Sequence, residues 1–224
     1  MERFDRAGVV AASLFAVGVV IQDWTKPAFD PLRHMVSHLS LGPWGWVNVG
    51  LLLATGALVA AFGLSLRRSG FPGGKVVPAL VVVAGVALVA AAVFPIDPGL
   101  GYPPGVGATR TWRGSIHDAA GGLLFASLTA AAVGTARKLR GQPGRRWQRQ
   151  VSQAAAFLMP VLFIACSIAI GMDYGGAVSR PLGGLFERLY LAVAFAWILL
   201  MSVGATRSRG SRPTAQTPTA LTTG

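Results

Sequence analysis

A single cysteine, Cys166, stands inside an apolar run, which excludes an intrachain disulfide and any cysteine-based zinc site. Charge is scarce too. Only 12% of the 224 residues are Asp, Glu, Lys or Arg, whereas a soluble domain carries roughly 25%. With 53% hydrophobic residues and a mean hydropathy of +0.56, the chain reads as an integral membrane protein whose first partner is the lipid bilayer. Acidic residues number eight and histidines three, leaving a net charge of +12. That charge does not imply nucleic acid. The Lys and Arg stand in short clusters between apolar runs rather than on one face of a polar domain, so no nucleic-acid partner is expected.

What is abundant is long apolar sequence. Six stretches approach the 20 or so helical residues needed to cross a hydrocarbon core: Ala7–Gln22, Trp46–Leu66, Val76–Phe94, Ser115–Ala136, Val151–Met172 and Gly184–Thr206. The first is slightly short but lacks a small-residue cleavage site followed by a polar region, so it reads as a signal anchor. The spans are rich in Ala, Gly, Ser and Val, which lets helices approach closely in lipid. The expected fold is all-α: a polytopic membrane bundle of six transmembrane helices over residues 1–206. A polar, Pro-containing tail over 207–224 is expected to be disordered and cytoplasmic.

Basic residues set the orientation. The N-terminus, the Arg67–Lys75 loop, the Arg137–Arg149 loop and the tail together hold 14 of the 20 Lys and Arg. The alternate segments hold six: Lys26, Arg33, Arg110, Arg113, Arg180 and Arg188. Positive charge favours the cytoplasmic side, so both termini are placed there, in a multi-pass protein of the plasma membrane. All three histidines and six of the eight acids (Asp23, Asp30, Asp97, Asp118, Asp173 and Glu187) then fall outside. Ionisable groups are costly in an apolar chain, so this outer face is where a site is sought.

Four outer segments carry candidate residues. In Asp30–Trp46, Asp30-Pro31 is a helix start and Gly42-Pro43 a stop, predicting one short interfacial helix between them, too short to span, that lies at the interface or dips into the bundle. His34 and His38, four apart, share a face of that helix with Ser37 beside them. They can hold a metal such as zinc, with Asp97, His117 or Asp118 supplying a third ligand. The alternative is that both histidines bond loop carbonyls or water in the headgroup layer. Asp97, in the turn-rich Phe94–Gly105 loop, either caps a turn or faces a cavity. His117 and Asp118 open the fourth span, about 100° apart around the helix, with Gly121 and Gly122 leaving room beneath them. Glu187 and Arg188 open the sixth span, and Arg188 is expected to pair with Asp97 or Asp118. Trp44 and Tyr102 belong to a crowd of aromatics at this level, most of which an interfacial belt explains.

The runs Val36-Ser37-His38-Leu39-Ser40-Leu41-Gly42-Pro43-Trp44-Gly45-Trp46, Phe94-Pro95-Ile96-Asp97-Pro98, Tyr102-Pro103-Pro104-Gly105, Gly114-Ser115-Ile116-His117-Asp118 and Glu187-Arg188 resemble the signature of the DUF998 membrane family, common in actinobacteria. The resemblance covers the chain from the first span to the sixth and implies a six-helix membrane protein with no established reaction. Relatives often carry an acidic residue where His38 stands, which weakens a His34/His38 metal site.

The favoured expectation is an outward-facing polar and aromatic site that binds or acts on a lipid or isoprenoid. Asp97, His117 and Asp118 are its catalytic candidates, and Ser37, Trp44, Tyr102, Glu187 and Arg188 its substrate contacts. No cofactor is firmly implied, and zinc on His34, His38 and His117 is the weaker option. The alternatives are a small carrier or sensor, or a structural subunit that stabilises a membrane partner without catalysis.

Overall fold

The computed structural model describes residues 6–71, 74–178 and 181–210, with side chains as far as residue 203. Six α-helices are present: α1 Ala7–Thr25, α2 Gly45–Arg68, α3 Val76–Val93, α4 Trp112–Lys138, α5 Arg146–Tyr174 and α6 Gly183–Gly210. All six are long and apolar enough to cross a membrane, and no strand occurs among the described residues. α5 begins at Arg146, ahead of its apolar run, because the polar first turn Arg146–Arg149 is itself helical. α6 runs on to Gly210, past the expected boundary at 206. The rest of the expected tail, residues 211–224, lies outside the described residues, as do Arg3, Arg180 and Arg212 from the charge count.

Each helix packs against the next in sequence, and α6 closes the ring against α1. Small residues set the tightest crossing, between α2 and α3. A Cβ on Gly85 would lie 2.6 Å from the Gly56 carbonyl oxygen and would also strike the Ala60 backbone, so the two helices touch backbone to backbone. Stacked Phe15 and Phe195, with ring centroids 4.2 Å apart, close α1 on α6. α5 is the least enclosed helix: 17% of its apolar window is buried, against 50% for α3.

The three longer connections meet at one end of the ring. There the expected helix after Asp30 does not form. Asp30 Oδ1 accepts the Leu32 N–H at 2.9 Å, and the Arg33 and His34 N–H groups return to the Asp30 carbonyl. The chain then extends at Met35 and makes only a 3-10 turn, Val36–Ser40. Of the two placements considered, that turn takes the one inside the bundle: Val36 is 3% exposed and His38 and Leu39 are fully buried.

The physical reason is that side chains from three helices and the preceding loop take the polar groups a longer helix would use internally. Asn48 Nδ2 donates to the Val36 carbonyl and the Ser40 hydroxyl at 3.1 and 2.9 Å. Lys26 Nζ donates to the Leu39 carbonyl at 2.7 Å, and the Val36 N–H donates to Glu187 at 2.6 Å. Gln22 Nε2 reaches Asn48 Oδ1 at 3.4 Å. The turn is therefore strapped into the bundle from α1, α2, α6 and the segment after α1.

Candidate functional site

Below the strapped turn lies a cavity of about 210 Å³. Its wall is mostly apolar, with Phe15, Leu52, Leu88, Leu124, Phe125, Phe163 and Leu191 among the lining residues. The polar side chains on it are Ser37, His117, Asp118, Cys166, Ser167 and Glu187, and no Lys or Arg lines it. Asp118, Gly122, Phe163 and Ser167 are exposed, and a Cβ on Gly121 or Gly122 would meet nothing within 4 Å. The chamber therefore opens sideways between α4 and the loosely packed α5.

His117 and Asp118 divide as adjacent helical residues must. His117 turns inward and is 4% exposed. Its Nδ1 lies 2.8 Å from the Ala91 carbonyl oxygen and 2.9 Å from that of Phe94. Both partners are acceptors, so Nδ1 carries the proton and Nε2 is left with its lone pair. Asp118 faces the opening. Glu187, 6% exposed, comes in from α6 and accepts the Val36 N–H through Oε2. Main-chain bonds help place the first turn of α6: the Gly184 and Leu185 N–H groups donate to the Arg33 and Leu32 carbonyls. Any Cβ at position 184 would collide with the His34 and Pro31 carbonyl oxygens.

Other residues expected at a site are occupied elsewhere. Both oxygens of Asp97 receive bonds from Thr111, at the backbone N–H and, at 2.7 Å, the hydroxyl. Thr111 in turn accepts the Gly114 N–H as the N-cap of α4, so Asp97 braces that helix start and does not line the chamber. Arg188 pairs with Asp23, not with Asp97 or Asp118. Its two bonds to that carboxylate are 2.9 and 2.6 Å, and it also donates to the His34 carbonyl at 2.8 Å. The correction follows from the ring, because α1 is the neighbour of α6 while Asp97 and Asp118 belong to α4 and the loop before it. Tyr102 is buried between the Phe29 and His34 rings, each 5.2 Å away. Trp44, 66% exposed, stands ahead of α2 in a left-handed conformation.

The His34 and His38 rings lie side by side, centroids 6.2 Å apart, but their nitrogens serve different partners. His34 Nδ1 accepts the Asp30 N–H at 3.0 Å and Nε2 reaches the Leu100 carbonyl at 3.2 Å, so both nitrogens are engaged. His38 Nδ1 accepts the Met35 N–H, leaving a buried Nε2 without a partner. Burial lowers the pKa of both, that of His38 to about 3, with His34, His117 and Arg188 adding repulsion. Among the described residues no group of three His, Cys, Asp or Glu could hold a metal ion.

Sequence reasoning missed Gln22, Lys26 and Asn48, which hold the strap, and Cys166 and Ser167, which line the chamber. For Asn48 a signal existed: an amide inside an apolar span is costly unless it is bonded. A second ion pair, Arg33 with Asp173, has two bonds of 2.8 Å and ties the end of α5 to the first long loop.

Comparison with curated proteins and with solved structures finds no match. Residues 9–204 match the family model described as Protein of unknown function (DUF998), and these include every element of the chamber and its strap. The chain belongs to the DUF998 family.

Proposed function

We propose that the chamber binds the polar head of an amphipathic lipid that enters sideways from the bilayer between α4 and α5. The observation that carries this reading is the composition of the wall: two carboxyl side chains, a histidine and two serines in a mostly apolar cavity lined by no Lys or Arg. A phosphate head would meet only negative charge there. A hydroxyl or amine head, as on a long-chain or isoprenoid alcohol or amine, finds Glu187 and the Nε2 lone pair of His117 as acceptors.

In this reading His117 is the base. The Ala91 and Phe94 carbonyls fix its ring and tautomer, as a third group orients the base of a catalytic triad. Glu187 holds the head, Ser37 adds a hydroxyl and Asp118 guards the entrance. Asp97 acts on α4 rather than on ligand. The excess of Lys and Arg at the other end of the ring supports an outward-facing chamber with cytoplasmic termini in the plasma membrane.

The test is photolabelling of the purified protein in nanodiscs with a diazirine-bearing long-chain alcohol. Labelling is expected on α4 and α5 residues of the chamber, and an alcohol or amine competes where the matching phosphate ester does not. Loss of a hydrogen bond costs about 1.5 kcal/mol, so His117→Ala or Glu187→Gln lowers labelling about tenfold. Equal labelling of all three proteins overturns the reading.

A second reading, a structural subunit without catalysis, is favoured by how many outer polar groups are spent on contacts within the chain, namely Asp23, Asp97, Asp173, Arg33 and Arg188. On that reading Glu187→Gln leaves cellular activity of the partner intact, while variants that loosen the strap remove it.

A further inference from the structure

A second cavity, of about 630 Å³, lies toward the opposite end of the bundle and opens on the same side. Its walls come from Leu80 of α3, Ala126, Ala130 and Gly134 of α4, and Pro160 and Phe163 of α5. It has the length of several helical turns along α4 and is apolar except for Thr129 and, at its end, Arg137. Small side chains at 126, 130 and 134, one turn apart, leave a trough wide enough for a hydrocarbon chain.

Arg137 is exposed in the last turn of α4, and its guanidinium has no carboxylate partner among the described residues. The segment Arg137–Arg149 holds six Lys and Arg and no acid. An apolar trough ending in an exposed cation is complementary to a molecule with a negative head and an apolar chain. Basic pockets between membrane helices recognise anionic lipid heads in this way.

We propose that this groove is a binding site for an anionic phospholipid of the leaflet on the side of the α4–α5 loop. Its phosphate sits on Arg137 and one acyl chain lies along Ala126, Ala130 and Gly134. The site adjoins the chamber, sharing Gly122, Phe125 and Phe163 with it, but is opposite to it in charge: the chamber carries carboxyl groups and no Lys or Arg, and the groove ends in Arg137.

The experiment is native mass spectrometry of the protein released from nanodiscs containing equal phosphatidylglycerol and phosphatidylcholine, counting lipids retained. Wild type retains phosphatidylglycerol preferentially. A charge near an anionic headgroup is worth about 1 kcal/mol, so Arg137→Gln reduces that preference about fivefold, and Arg137→Lys keeps most of it. Ala130→Phe, which fills the trough and leaves every charge in place, reduces retention comparably. Arg140→Gln removes a cation of the same loop that does not line the groove, and has a smaller effect.

Equal retention of the two lipids by wild type overturns the proposal. So does an Arg140→Gln loss as large as that of Arg137→Gln together with no effect of Ala130→Phe, which is attraction to a basic surface without a seated chain. Thermal unfolding of Ala130→Phe checks its fold. Should that variant unfold, the comparison of Arg137→Gln with Arg140→Gln decides alone, since both positions are exposed.

Discussion

The Val36 backbone N–H lies 2.6 Å from Glu187 Oε2, joining the buried 3-10 turn to a helix 151 residues away. The same carboxyl group lines the chamber. One side chain thus holds the roof in place and supplies an acceptor to the space beneath it.

These two duties separate by substitution. Gln at position 187 retains an oxygen for the Val36 N–H, so Glu187→Gln is expected to unfold close to the wild-type temperature in detergent. Glu187→Ala leaves that N–H buried without an acceptor and costs about 1–3 kcal/mol. Equal unfolding midpoints for the two variants would contradict the strap.

The Arg188–Asp23 pair is two-pronged and largely buried, with side-chain exposures of 16% and 12%. Removing either partner strands the other charge, a loss of about 3 kcal/mol for a buried pair. Asp23→Ala and Arg188→Ala are each expected to lower the unfolding temperature, and the double variant by less than their sum. Arg188→Lys rescues poorly because a point charge cannot make both bonds and also reach the His34 carbonyl. A double variant as damaged as the sum of the singles would show the pair to be uncoupled.

Glycines in the bundle divide by what surrounds them. Gly85→Val drives a side chain into the Gly56 and Ala60 backbone and is expected to broaden or abolish the monodisperse peak in size-exclusion chromatography. Gly121→Ala meets open space and improves helix propensity by as much as about 1 kcal/mol. The packing account fails if Gly85→Val elutes and melts like wild type.

Acid should loosen the long-loop end. His38 in the folded chain stays neutral down to about pH 3, whereas an opened loop takes up a proton below the ordinary value of 6.5. The open form therefore binds more protons between those limits, and stability falls as pH drops through that window. The slope from this group approaches about 1.4 kcal/mol per pH unit, and His34 acts in the same direction. Hydrogen exchange at Val36–Ser40 measured from pH 7 to pH 4 checks this, with a shallower acid limb expected for His38→Gln. An unchanged limb in that variant would remove His38 as the cause.

The spans were legible because a run of some 20 apolar residues has few other uses, and all six helices stand where those runs predict. His117, Asp118 and Glu187 stood out too, since an ionisable group beside a membrane core invites a partner or a ligand, and all three line the chamber. Pairing was not legible. Arg188 finds Asp23, 165 residues away, only because α6 closes the ring on α1, and nothing in a linear sequence reports that closure. The helix after Asp30 failed for a related reason. Its start and stop signals are real, but Asn48, Lys26 and Glu187, each 12 or more residues away along the chain, offer its backbone better partners than its own next turn.

The ring closure also orders the life of the chain. α6 is made after the other five helices, and it brings the acceptor for Val36, the cation for Asp23 and the main-chain contacts with Leu32 and Arg33. Until that helix has entered the membrane, the first loop emerges with a bare amide and an unmatched carboxylate, and the chamber lacks one wall. A chain stopped after the fifth helix would lack Tyr190, Phe195 and Trp197 of the core and would hold its roof only through Lys26 and Asn48.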